Sequence, residues 1–206
     1  MRTTSGRPST GALVPRAGLA PATVIAAGAE LADEVGFAAL TMGLLAERLH
    51  VRPPSLYRHV ESLDALRRGI ALQAKRELGG AAARAAVGKA GPAAIHAFAD
   101  AYRSWVLAHP GRYTASLRAP APDDEEDRRV SDDSLRALFD ILAGFGLHDA
   151  DAIDAARALR SAVHGFASLE SSGAFGLSRD IDRSYRSLIE FVLSGLLAVR
   201  SGSAAT

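Results

Sequence analysis

There is no cysteine among the 206 residues. That excludes a disulfide framework, a thiol nucleophile and a cysteine-based zinc site, and it gives secretion no support. The six histidines are scattered without ligand spacing, so no metal and no other cofactor is expected. Catalytic signatures are missing too: there is no G-x-S-x-G elbow, no H-E-x-x-H, no phosphate loop and no close carboxylate pair with a matching base. No uninterrupted apolar run approaches membrane-spanning length, and the N-terminus lacks the apolar core of a signal peptide, so the sequence predicts a cytoplasmic protein with no membrane partner. β-Branched runs are few, and no segment calls for a sheet.

What is present is alanine, leucine and helix-length segments separated by Gly or Pro clusters, which predicts an all-α fold of about nine helices. The net charge of +1 hides a local imbalance. Arg48, Arg52, Arg58, Arg67, Arg68, Lys75 and Arg76 meet only Glu61 and Asp64 over their stretch, which reads as a basic face. Residues 1–20, rich in Gly, Ser, Thr and Pro with Arg2, Arg7 and Arg16, read as a mobile basic arm.

From Pro21 the pattern is helical. Val24, Ala27, Gly28, Leu31 and Val35 share a face, and Gly36 suits a left-handed cap. Thr41 offers its hydroxyl to the next helix, Met42 to Leu49, with Leu40 and Leu45 placed as a hydrophobic staple. His50 occupies the turn, where glycine would cost least but histidine is tolerated. Pro53 and Pro54 open a third helix of about seven residues, because a first turn has no use for their missing amide protons. Val51, Leu56 and Val60 point inward, which leaves Ser55, Tyr57, Arg58 and His59 on the outer face. For Tyr57 the alternative is packing against the first helix. This is the grammar of a helix-turn-helix, and it makes double-stranded DNA the first partner to consider.

Ser62 caps a fourth helix to about Leu78, and the Ala/Gly stretch 79–91 reads as a weak helix tail or linker. The expected organisation is therefore an arm (1–20), a helix-turn-helix domain with connecting helix (21–78), and a second helical domain (79–206). The acidic run Asp123 to Asp127 reads as a solvated helix start at the positive end of the helix dipole. Helices near 149–172 and 182–199 carry matching apolar stripes, among them Leu159, Val163 and Phe166 on one and Ile189, Phe191, Leu193 and Val199 on the other. Gly165 and Gly195 allow close approach, so two copies are expected to pair as a four-helix bundle in a homodimer.

The stretch AAGAELADEVGFAALTMGLLAERL, from Ala26, followed by VRPPSLYRHV to Val60, resembles the tetracycline-repressor (TetR) family of bacterial transcription regulators over about a sixth of the chain. A looser likeness to one TetR ligand-binding branch runs from Tyr102-Arg103-x-Trp105 through Ala108-His109-Pro110-Gly111-Arg112-Tyr113 to His164-Gly165-Phe166-x-x-Leu169-Glu170. The resemblance implies a dimeric repressor that grips a near-palindromic operator and releases it when a small-molecule effector occupies the C-terminal domain.

Carried over by position, Pro54, Ser55, Tyr57 and His59 match DNA-contact positions, with Thr41 and Arg58 beside them. Tyr57 and His59 suit phosphates, while Arg52, Ser55 and Arg58 suit base edges. Gly43 stands where some members place a base-reading arginine, and Leu63 where many have a phosphate-binding lysine. Affinity is therefore expected to lean on Arg48, Arg58, Arg67 and the arm.

Phe98, Tyr102, Trp105, Phe139, Phe145, Arg160, His164 and Phe166 fit an apolar effector cavity with a few polar handles, although aromatics at this spacing fit filled core equally. If Arg160 and His164 both face inward, they suit an anionic or carbonyl-bearing effector. Two other readings stay open: a ligand-independent architectural or activating DNA binder whose C-terminal half only dimerises, and an enzyme.

Overall fold

The helix starts follow the local chemistry. In the computed structural model, which describes residues 19–203, α1 spans Pro21–Val35, α2 Met42–Arg48, α3 Pro53–Leu56, α4 Leu63–Ala86 and α5 Pro92–Ala108. They are followed by α6 Pro110–Ser116, α7 Glu125–Ala143, α8 Asp149–Ser171 and α9 Ile181–Ser203. A 3-10 turn at Phe37–Ala39 joins α1 to α2, and no strand occurs among the described residues. The all-α expectation holds; the arm with Arg2, Arg7 and Arg16 lies outside the described residues.

Thr41 Oγ1 accepts the Leu44 amide at 3.2 Å and Ser62 Oγ accepts the Ala65 amide at 3.0 Å. Each satisfies a donor that the helix itself cannot pair. Prolines open α1, α3, α5 and α6. Gly36 does cap α1, but at φ 87°, ψ 142°. That is outside the left-handed helical well, because the chain must extend at once into the turn.

Two hydrophobic cores share α4. The first gathers Val24 and Leu31 of α1, Leu40, Leu45 of α2, Leu56 of α3, and Leu66 and Ile70 of α4. Ala115 reaches into it from α6. The second joins Ala74 and Ala82 of α4 to side chains of α5, α7, α8 and α9, including Ile95, Leu142, Leu159 and Ile189. Each fully buried Leu or Ile contributes about 2 kcal/mol by leaving water.

The helix α4 runs past Leu78 to Ala86, through the Gly79-Gly80 pair that composition read as a weak tail or linker. A Cβ on Gly79 would lie 2.6 Å from Ser134 Cα. The glycine lets α4 and α7 touch backbone to backbone, and the helix continues because that contact and buried Ala82 hold it.

The acidic run does start a helix, with Asp123, Glu125 and Glu126 exposed, but it is more than a solvated start. Asp124 caps α7 by accepting the Asp127 amide at 3.0 Å, and it also takes the Arg68 guanidinium at 2.5 and 2.7 Å. Glu126 bridges Arg68 at 3.0 Å and Arg76 at 2.9 Å. Asp127 is buried against Lys75 at 2.5 Å. Helix-dipole reasoning located the helix start; it had no means of finding basic partners 50 or more residues away.

These contacts set an acid response. Hydrogen bonds from Arg68 hold the Asp124 carboxyl, and from Arg68 and Arg76 the Glu126 carboxyl, below their ordinary values of 3.8 and 4.5. A carboxyl depressed by folding stabilises the native state above its unfolded value and loses that contribution as the pH falls through the folded value. Arg68→Met is therefore expected to lower the thermal midpoint most at neutral pH. Its deficit against wild type should begin to shrink below about pH 4.5, and denaturation scans between pH 7 and pH 3 check this; a constant deficit would show that the clamp acts only through packing.

Candidate nucleic-acid interface and effector cavity

The turn between α2 and α3 is built on His50 at φ 54°, the strained position the sequence assigned to it. The helix α3 has four residues, fewer than the seven expected. Its chain then turns, with the His59 and Val60 amides both donating to the Leu56 carbonyl at 2.8 and 3.0 Å, so that it can reach the Ser62 cap. Leu56 is fully buried and Val60 nearly so, with Val51 packed beside them. Arg52, Pro54 and Arg58 are exposed, Ser55 and His59 half-buried. Tyr57 is 51% exposed, so its ring projects instead of packing beneath α1.

The basic face is narrower than the sequence count implied. Arg48 donates to Glu34 at 2.6 Å and lies 3.8 Å from Glu30, both on α1. Arg67 lies 3.5 Å from the Ala38 and Leu40 carbonyls and 5.9 Å from the Phe37 ring centre, bracing the segment that leads into α2. Arg68, Lys75 and Arg76 are taken by α7 as described above. Arg52 and Arg58 make no side-chain ion pair or hydrogen bond among the described residues, and both are exposed, as is Tyr57.

The second feature is a cavity of about 250 Å³ between α4, α5, α7, α8 and the segment after α6. Of the residues proposed from sequence, Phe98, Tyr102 and Arg160 line it. Trp105, Phe139, Phe145, His164 and Phe166 do not. Phe145 is core, and Phe139 packs against the core. Trp105 packs against His109 with ring centres 5.0 Å apart and planes tilted by 56°, and Phe166 lies between Phe175 at 4.7 Å and Tyr185 at 5.1 Å. His164 closes a buried chain in which the Tyr102 and Tyr113 hydroxyls meet at 3.1 Å and Tyr113 reaches His164 Nδ1 at 2.6 Å.

Arg160 and His164 therefore do not act as a pair on one site. The wall that sequence reasoning missed comes mainly from α4 and α7: Lys75, Leu78, Gly79, Ala82, Ser131 and Leu138. The only signal for it was the small residues of α4, which composition alone assigned to a linker.

Comparison with known proteins covers both halves of the chain. Residues 24–68 match the model described as bacterial regulatory proteins, tetR family, and residues 95–192 match the tetracyclin repressor-like C-terminal domain. The uncharacterized HTH-type transcriptional regulator YobS of Bacillus subtilis (strain 168) is 34% identical over 184 residues, covering 89% of this chain and 95% of its own length. The chain belongs to the TetR family.

It is a DNA-binding transcriptional regulator with an N-terminal helix-turn-helix and a C-terminal helical domain. Its fold is also that of two solved structures. BioQ, crystallised with its natural double-stranded DNA operator, is 26% identical with a TM-score of 0.65, covering 88% of this chain and 99% of its own. A variant of TetR from Acinetobacter baumannii AYE, in complex with minocycline, is 24% identical with a TM-score of 0.69, covering 89% of this chain and 99% of its own. Among the described residues of this TetR-family chain no helix is long and apolar enough to cross a membrane.

Proposed function

We propose that this regulator is a homodimeric repressor that holds a near-palindromic operator through α3 and releases it when a small molecule fills the cavity. The observation that carries this reading is the continuity of α4. Leu66 and Ile70 sit in the core beneath the reading surface, and one to four turns further along the same helix Lys75, Leu78, Gly79 and Ala82 form the cavity wall. A ligand with unequal affinity for two α4 positions shifts the balance between a DNA-competent and a DNA-released form.

In this reading residues 21–78 are the reading head with its connecting helix, whose Lys75 and Leu78 already face the cavity, 79–206 supply the rest of the effector site and dimerise, and the arm 1–20 precedes them. Arg52, Ser55 and Arg58 meet base edges, and Thr41, Pro54, Tyr57 and His59 meet the phosphate backbone. Arg48 and Arg67 support the head by holding α1 and the entry to α2. Dimerisation uses α8 and α9, where Ile153, Leu169, Phe191 and Val199 are exposed and Phe191 is 74% accessible. A Cβ on Gly165 or Gly195 would meet nothing within 4 Å, which leaves room for a partner helix. Two-fold pairing sets the half-sites about 34 Å apart.

Selection of duplex oligonucleotides bound by the full chain should yield a palindrome with that spacing. On the selected duplex, Arg58→Ala is expected to weaken binding by about tenfold or more and to relax the base preference at one position per half-site. Tyr57→Phe should weaken all sequences alike. Failure to enrich any duplex, or a monomer at micromolar concentration in sedimentation, would overturn the proposal.

A further inference from the structure

We infer that the cavity takes a compact amphipathic anion, with an apolar body and a single carboxylate or phosphate head. This deepens the effector reading above and rests on it. Three cationic side chains, Lys75, Arg118 and Arg160, line the cavity, and no aspartate or glutamate among the described residues does.

Lys75 is already balanced by Asp127 at 2.5 Å, with Ser131 Oγ at 3.1 Å. The guanidinium groups of Arg118 and Arg160 have no ion pair or hydrogen bond among the described residues. Asp124 acts on Arg118 only beyond ion-pair distance. The Tyr113 phenol near Arg160 stays protonated, because burial pushes its pKa up. The Arg160 charge is thus unpaired on the protein side and the Arg118 charge is met only at longer range by Asp124, which favours an anion and disfavours an ammonium.

The neutral polar groups of the wall point the same way. Ser134 Oγ donates to the Ser131 carbonyl at 2.7 Å and Ser116 Oγ to the Tyr113 carbonyl at 2.7 Å. Their protons are committed, so the donors left for a ligand head are chiefly the two arginines, and Arg matches a carboxylate or phosphate with paired N–H bonds. Leu78, Ala82, Phe98 and Leu138 supply the apolar side. At about 250 Å³ the space falls just under the ~300–1,000 Å³ of drug-sized pockets, which selects a short chain or a single ring.

Calorimetric titration of the full chain with octanoate, octyl phosphate, octanamide and octylamine tests this. Octanoate or octyl phosphate should bind at least about tenfold more tightly than the amide and the amine, and which of the two anions wins identifies the head. Arg118→Met and Arg160→Met, both at exposed positions, should each weaken the anion about tenfold and leave the amide unchanged.

Equal affinity for octanoate and octanamide, binding of octylamine alone, or no binding by any probe would each overturn the inference. A second readout on the selected operator duplex separates the two claims. Anion binding without release of DNA upholds the anion site and refutes effector-linked release, whereas release by the amide as readily as by the anion does the reverse.

Discussion

Replacing Gly111 with alanine is expected to lower the thermal midpoint by about 10 °C, the effect of roughly 3 kcal/mol in a chain of this size. Gly111 sits in the first turn of α6, pressed against the end of α1. An added Cβ would collide with the Ala32 carbonyl and come within 2.6 Å of the Asp33 amide nitrogen. Both neighbours are helix backbone, which cannot rotate aside as a side chain does.

The junction is also tied by charge. Asp33 accepts the Arg112 amide at 2.8 Å, lies 2.9 Å from the Arg112 guanidinium and meets His109 Nδ1 at 3.3 Å. Prising α6 away would break that set as well as lift Ala115 out of the first core. Differential scanning calorimetry checks the prediction; a shift under about 2 °C would mean that the two helices separate at little cost.

The second large effect concerns the buried pair of Lys75 and Asp127, whose side chains are 7% and 5% exposed. Lys75→Met removes the positive partner and leaves a carboxylate enclosed by α4 and α7, which costs about 3–5 kcal/mol. The double variant Lys75→Met with Asp127→Leu leaves no stranded charge and should recover most of that loss. Urea denaturation of wild type, both single variants and the double variant measures the coupling directly. If Lys75→Met alone costs under about 1 kcal/mol, water from the adjoining cavity is solvating Asp127 and the pair is not dry.

Much of the reading head was legible in the sequence because its signals are local. Thr41 and Ser62 cap by reaching three residues ahead, Pro53 and Pro54 start a helix through their own rings, and the inward set Leu56 and Val60 follows from helical spacing. The charge partners were illegible because they are tertiary. Arg48 reads as a free cation until α1 brings Glu34 beside it, and Arg68 until α7 brings Asp124 and Glu126.

The cavity shows the same limit from the other side. Phe139, Phe145 and Phe166 look like a ligand box by type, yet packing consumes them, while the actual wall draws on Gly79 and Ala82, whose small size is informative only once α7 is known to lie opposite. Phe98 and Tyr102 were found because α5 has a single apolar face, and that face borders the cavity.

The seat of Gly79 on Ser134 gives α4 the mechanics of a lever. An α-helix rises about 1.5 Å per residue, so Leu63 stands about 24 Å from that fulcrum, and a tilt of only about 5° there carries the head end through about 2 Å. In a paired molecule both arms would swing, and a displacement of that size exceeds the roughly 0.5 Å spread of ordinary hydrogen-bond lengths, enough to spoil a gap matched to one turn of duplex.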